Sequence, residues 1–231
     1  MPRITWDNTG EKKYEVGVDH VVHYLVDESS QYSNGTPWNG ITGVSETPDG
    51  AEPNDQYADN IKYLSLRSAE ELNGSITAYT YPDSWGVCDG SAEPIPGVTI
   101  SQQTRKMFGL SYRTKIGNDV DGQDHGYKLH LLYGATVSPS ERSYETMNDS
   151  PDPIEFSWDF TTVPVNVTGY NPTSLLTIDS TLCDRDKLAA LENVLYGTES
   201  EDARMPLPDE VLQILGGSGS VETMSYRSLT D

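Results

Sequence analysis

Few residues in this chain stand at spacings that could do chemistry. The acidic run 117–126, Gly-Asn-Asp-Val-Asp-Gly-Gln-Asp-His-Gly, invites comparison with a calcium loop. With Gly122 at the sharp turn, Asp119 and Asp121 would fill ligand positions, but Gly117 and Lys128 would stand where the first and last carboxylates are required. A solvated hairpin tip is the expectation there. His20 and His23 lie three apart in a strand-like segment, as do His125 and His130 at five apart, so each pair falls on opposite faces. With no Cys-x-x-Cys and no His-Glu-x-x-His, no zinc site is expected. Glu155 and Asp159 could be imagined as a glycosidase dyad, yet with 36 acidic residues such pairs arise freely. No Gly-x-Ser-x-Gly elbow and no phosphate-binding glycine loop occurs. Cys88 and Cys183 read as reduced thiols. The expectation is a protein without catalytic residues, metal or cofactor.

Charge is the outlying property. Thirty-six acidic residues face 15 basic ones, for a formal net charge of −21. Tight binding to free nucleic acid or anionic membranes is disfavoured, because Lys and Arg supply that affinity. An acidic surface that nucleic acid passes without sticking remains compatible, as do a halophile's surface and a cation-binding one. The acids are uneven: Glu46, Asp49, Glu52, Asp55 and Asp59 fall in 40–61 with no Lys or Arg, while Arg105, Lys106, Arg113 and Lys115 cluster in 105–115. Either this is an ordinary solvated face or acidic loop docks on basic strand between copies of the chain. No signal-peptide core and no apolar run of about 20 residues occurs, which predicts a soluble chain made in a cytoplasm, with no membrane partner.

The elements that would carry these residues are mostly strands. In 154–165, Ile154, Phe156, Trp158 and Phe160 alternate with Glu155, Ser157, Asp159 and Thr161, the signature of a half-buried strand. In 127–137, Tyr127, Leu129, Leu131, Tyr133, Ala135 and Val137 share a face, and in 105–116 Phe108, Leu110, Tyr112 and Ile116 do. These two runs read as a hairpin closed by 117–126. Further strands are expected at 16–27, 39–46 and 73–81, with 47–56 a proline-bearing loop and a helical turn near 83–88. One helix, 184–196, has Leu188, Leu191 and Leu195 on one stripe, a capping box from Thr181 to Asp184, and Gly197 to close it. A short helix at 208–215 precedes a Gly/Ser linker. The division is an arm (1–15), a β domain (16–215) and a linker with tail (216–231). The fold class is mainly β, a sandwich or barrel-like domain with a flanking helix and long loops.

The array Gln56-Tyr57-Ala58-Asp59-Asn60, then Leu72 to Tyr79, then Phe108 to Arg113, resembles the major tail proteins of long-tailed phages (siphophages) of Gram-positive hosts. Leu131 to Ala135 and Glu155 to Phe160 continue the resemblance, which covers roughly 15–215. It implies a tail tube protein of the virion, related in fold to other phage and type VI secretion tube proteins. In such families six copies form a ring whose sheets join into an inner barrel, and rings stack through a long loop and the termini. Implied partners are copies of itself, the tape measure protein, and terminator and distal tail proteins. DNA passes through the lumen unbound. Carried onto this chain, 47–60 (Asp49, Glu52, Asp55, Asp59) resembles the inter-ring loop. The strands in 73–81, 105–116, 127–137 and 154–165 resemble barrel material, with Glu155 and Asp159 as candidate lumen-facing acids. The competing expectation is a carbohydrate-binding sandwich using Trp38, Trp85 and exposed tyrosines as stacking platforms.

Overall fold

A computed structural model describes residues 4–50, 52–144, 146 and 152–216. Its elements in order are β1 (Tyr14–Val26), β2 (Tyr32–Pro37), β3 (Ile41–Gly50), β4 (Pro53–Ala58), β5 (Ile61–Arg67) and β6 (Glu70–Ala78). A turn of 3-10 helix at Asp83–Trp85 leads into α1 (Gly86–Asp89). There follow β7 (Ala92–Ile95), β8 (Val98–Ile100), β9 (Phe108–Asn118), β10 (Gly122–Val137), β11 (Phe156–Thr162), β12 (Leu175–Asp179), α2 (Arg185–Tyr196) and α3 (Pro208–Gly216). The expected class, mainly β with few helices, is the observed one. Past Gly216, the expected linker and tail lie outside the described residues.

The main sheet is antiparallel, in the order β2-β1-β9-β10-β11-β6-β3, with β12 pairing the middle of β10. It rolls on itself: Glu46 on β3 accepts a hydrogen bond from the Tyr112 hydroxyl on β9, although three strands separate them in the sheet. Inside the roll lies an aromatic cluster of Trp38, Trp85, Phe108, Trp158 and Phe160, closed by Ile76, Leu110 and Val137. The rings meet mostly edge to face, with Trp38 and Trp158 centroids 5.4 Å apart and Trp85 and Phe108 4.8 Å apart. The outer face of β1, β9 and β10 carries a second cluster, in which Tyr24, Leu129, Leu131 and Tyr133 pack on Leu188, Leu191 and Leu195 of α2.

Burial on both faces explains one failed expectation. Tyr127 to Val137 do not share a single face. Leu129, Leu131 and Tyr133 point at α2, whereas Leu132, Ala135 and Val137 point into the roll. The reversal is a bulge at Gly134, whose φ is +63°, where the β9 register slips between Leu132 and Ala135. One extra residue exchanges the faces of everything after it.

The segment expected as a loop at 47–56 is not one. β3 runs on to Gly50, paired with β6 from Ile41↔Ala78 to Gly50↔Glu70. Beyond it β4 and β5 form their own hairpin, from Pro53↔Arg67 to Ala58↔Ile61. Asp59 and Asn60 close it with φ of 52° and 61°, the two positive angles of a type I′ turn. Both faces of this ribbon are exposed, so its sequence shows no alternation, and main-chain pairing alone makes it β. The helical turn expected near 83–88 is the 3-10 turn and α1, and a small hairpin, β7–β8, follows it. α2 also agrees with expectation: Asp184 caps it, accepting from Asp186 N (3.0 Å) and Lys187 N (3.2 Å). Thr181 bonds back to Asp179 instead of completing a capping box.

Candidate assembly surfaces

The acids of the 46–59 region split into four situations. Glu46 turns inward, where the His130 imidazole 3.4 Å away holds its carboxyl below the usual range against the opposing effect of burial, helped by Tyr112. Asp49 sits directly opposite Glu71 in the β3–β6 ladder, a like-charge pair, with Glu52 and Glu70 exposed nearby. Asp55 is spent within the hairpin, on Lys62 (2.7 Å) and the Ser65 hydroxyl (2.7 Å). Asp59 is a turn residue. The ribbon therefore has an acidic neck, while the hairpin beyond it exposes apolar residues along its length: Tyr57 is 71% exposed, Tyr63 69%, Ile61 63% and Leu66 58%. Sequence reasoning overlooked these apolar residues, because the acids around them dominated the composition.

The basic strand expected at 105–115 does not exist as a unit. β9 starts at Phe108, so Arg105 and Lys106 precede it. Arg113 is committed within the molecule, bonding Asp19 (3.1 Å), approaching Glu192 (3.8 Å) and lying 4.6 Å above the Tyr127 ring. Burial would raise Asp19, but the bonds from Arg113 and His20 outweigh it and hold the carboxyl low. Lys115 is exposed. Of the four cations, Arg113 cannot serve a partner without breaking these contacts.

The polar side of β3, β6 and β11 is ordered into cross-strand rows. Gly43, Thr77 and Ser157 make one row, Ser45, Ser75 and Asp159 the next, and Thr47, Asn73 and Thr161 the third. The Ser45 and Ser75 hydroxyls bond at 2.9 Å. Glu155 precedes β11 and accepts from the Thr42 hydroxyl. Both candidate lumen acids, Glu155 and Asp159, are thus exposed among hydroxyls, with no cation in the rows. Such a face offers a phosphate hydroxyls but no positive charge, the term that supplies most non-specific affinity for nucleic acid.

The two ends of the sheet differ. The outer edge of β2 is covered, since Gly35 N donates to Ala203 O (3.0 Å) and Met205 N to Tyr32 O (3.1 Å). The outer edge of β3 hydrogen-bonds to no further strand among the described residues, although β3 packs against β1 where the sheet rolls. Uncovered strand edges template pairing with another chain.

The remaining candidates are accounted for locally. In the acidic turn, Asn118 Oδ1 accepts from Val120 N and Asp121 N, Asp121 bonds His125 (2.9 Å), and Asp119 takes Gly10 N (2.9 Å). No cluster of three or more metal-ligating residues occurs among the described residues. His20 and His23 do face opposite ways: His20 meets Asp19, and His23 is buried between Trp38 and Trp85. Burial pushes the His23 imidazole down to about 4, the Thr36 backbone opposing it in part. His130 stacks on Tyr112 at 4.7 Å. Trp38 and Trp85 are 3% and 0% exposed, so they cannot be sugar-stacking platforms. Cys88 and Cys183 are free thiols, and burial raises Cys88 to about 12.

No protein-family model matches the chain, and no curated protein matches it either. Among solved structures it is similar to the sheath/tube terminator of an extracellular contractile injection system (PVC) in its extended state. The identity is 12%, the match covers 71% of this chain and 97% of that one, and the TM-score is 0.35. A likeness of that degree decides neither fold nor role.

Proposed function

We propose that the chain is a non-enzymatic structural subunit that assembles with copies of itself into the tube of a phage-like tail. In this reading hexameric rings form by sheet pairing at open edges such as that of β3. The β3–β6 ribbon reaches from one ring to the next, and DNA passes along a lumen lined by the hydroxyl rows with Glu155 and Asp159. The observation that carries it is the ribbon itself. Tyr57, Ile61, Tyr63 and Leu66 expose large apolar surfaces on a two-stranded hairpin that packs on little but itself. Two-stranded hairpins are marginal in water, and exposed apolar patches of this kind mark contact sites. The resemblance noted in the sequence supplies the ring and the tube. Tape measure, terminator and distal tail proteins would then be partners, and the virion tail the location.

Negative-stain microscopy and light scattering of the purified chain test this across salt and concentration. Rings or tubes are expected, and replacing Tyr63 and Leu66 together by Lys should abolish tubes without lowering thermal stability. A monodisperse monomer under every condition would refute the reading.

A further inference from the structure

No ion pair to Asp49, Glu52, Glu70 or Glu71 in the acidic neck occurs among the described residues, and one cation, Arg67, stands in the adjoining hairpin ladder, opposite Pro53. Asp49 and Glu71 stand opposite each other, an arrangement that costs stability in a ladder unless a cation intervenes. Glu52 and Glu70 add to the same field. A protein with 36 acidic residues and 15 basic ones has few places that could answer it.

One such place is a recess of about 630 Å³ on the far side of the roll, lined by Arg105, Arg142, Tyr81, Tyr144, Gln102 and Gln103 among others. Arg142 is anchored to Asp89 and lies 5.7 Å above the Tyr81 and Phe156 rings. Arg105 is different. It makes no ion pair and no side-chain hydrogen bond among the described residues, and its Nε is buried without a partner. Arg105 lines the recess with its guanidinium outside any ion pair among the described residues, and a carboxylate is the best complement of such a group. Lys106, the next residue, is exposed. The rim is the β7–β8 hairpin, which contributes Thr99 to the recess and exposes Ile95, Val98 and Ile100. Cation beside apolar hairpin on this surface matches acid beside apolar hairpin on the ribbon.

We infer that the Arg105 recess is the receptor for the acidic neck of the β3–β6 ribbon of a second copy of this chain, with Arg105 meeting the Asp49–Glu71 pair. The inference rests on the self-assembly reading and specifies which surfaces meet. Attraction between them steers copies together and fixes register, while the apolar parts of both hairpins supply burial.

The test measures, by pelleting and microscopy, the protein concentration at which assembly begins. Arg105→Glu should raise it by about ten-fold or more, at an unchanged thermal midpoint. Adding Glu71→Arg to Arg105→Glu in the same chain should restore assembly, a rescue no folding defect would give. Wild-type assembly by Arg105→Glu would overturn the inference and leave the recess to an acidic partner other than this chain. Loss without rescue by Glu71→Arg or Asp49→Arg would overturn the pairing. If the wild-type chain assembles under no condition, it is the self-assembly reading that fails.

Discussion

His23 offers a quantitative check on the core. Its ring is fully buried, and its centroid lies 6.2 Å from that of Trp38 and 5.9 Å from that of Trp85. Neither ring nitrogen makes a well-formed hydrogen bond, the Thr36 backbone offering only a partial one, so protonation in the folded state would place a poorly paired charge in an aromatic core. The folded pKa is accordingly depressed to about 4 from 6.5. A group with a depressed folded pKa gives its full contribution above the unfolded value and loses it as pH falls through the window between the two. Here that window runs from about 6.5 down to about 4, in which the unfolded chain binds a proton that the folded chain refuses. At 1.36 kcal/mol per pH unit the whole window is worth about 3 kcal/mol, of which about 2 kcal/mol is lost between pH 7 and pH 5. Carboxylates such as Asp19 and Glu46, held low in the folded state, make their own contribution at lower pH. The informative quantity is therefore the difference between the protein and His23→Leu, which keeps a similar volume and cannot titrate. Urea unfolding followed by tryptophan fluorescence at pH 7 and pH 5 should show wild type losing about 2 kcal/mol more than the variant. Equal losses in both would mean that His23 is solvated or partnered in solution, and that the closed aromatic core described above is wrong.

Other expectations follow from single positions. Gly134→Ala places a Cβ against the Val163 carbonyl oxygen at a φ of +63°, so urea denaturation should show a loss of about 2–4 kcal/mol. Asp184→Ala removes the acceptor of two α2 amides and should lower stability by about 1 kcal/mol in the same assay. Glu155→Lys with Asp159→Lys should leave assembly intact, both side chains being exposed, yet give tubes that retain DNA in a co-sedimentation assay. Tubes that still release DNA would mean that this face does not line the lumen.

What could be read beforehand was mainly whatever had one wet face and one dry one. β11 and α2 announced themselves by period, since Trp158 and Phe160 on one side and Leu188, Leu191 and Leu195 on another alternate with polar residues as burial requires. The β9–β10 hairpin, covered on both faces, instead announced itself by its Gly/Asn/Asp turn between apolar runs. The outer ends of β3 (47–50) and β6 (70–71) and the hairpin β4–β5 escaped, because a strand exposed on both faces imposes no pattern on its side chains. The second half of β10 escaped for a different reason: a single glycine bulge exchanges its faces, and nothing local to the strand records that a sheet is covered on both sides.

By itself the sequence determined a β-rich, strongly acidic chain without a catalytic or metal motif, because composition and period depend only on neighbours along the chain. Only the tertiary structure decided how the charges are used. It folded Glu46 inward, tied Arg113 to Asp19 and Glu192, and buried Trp38 and Trp85. Among the described residues it also left Arg105 and the Asp49–Glu71 pair without an ion-pair partner. Whether a charge is free or committed depends on residues brought together from far along the chain, and that information exists only once the sheet has rolled.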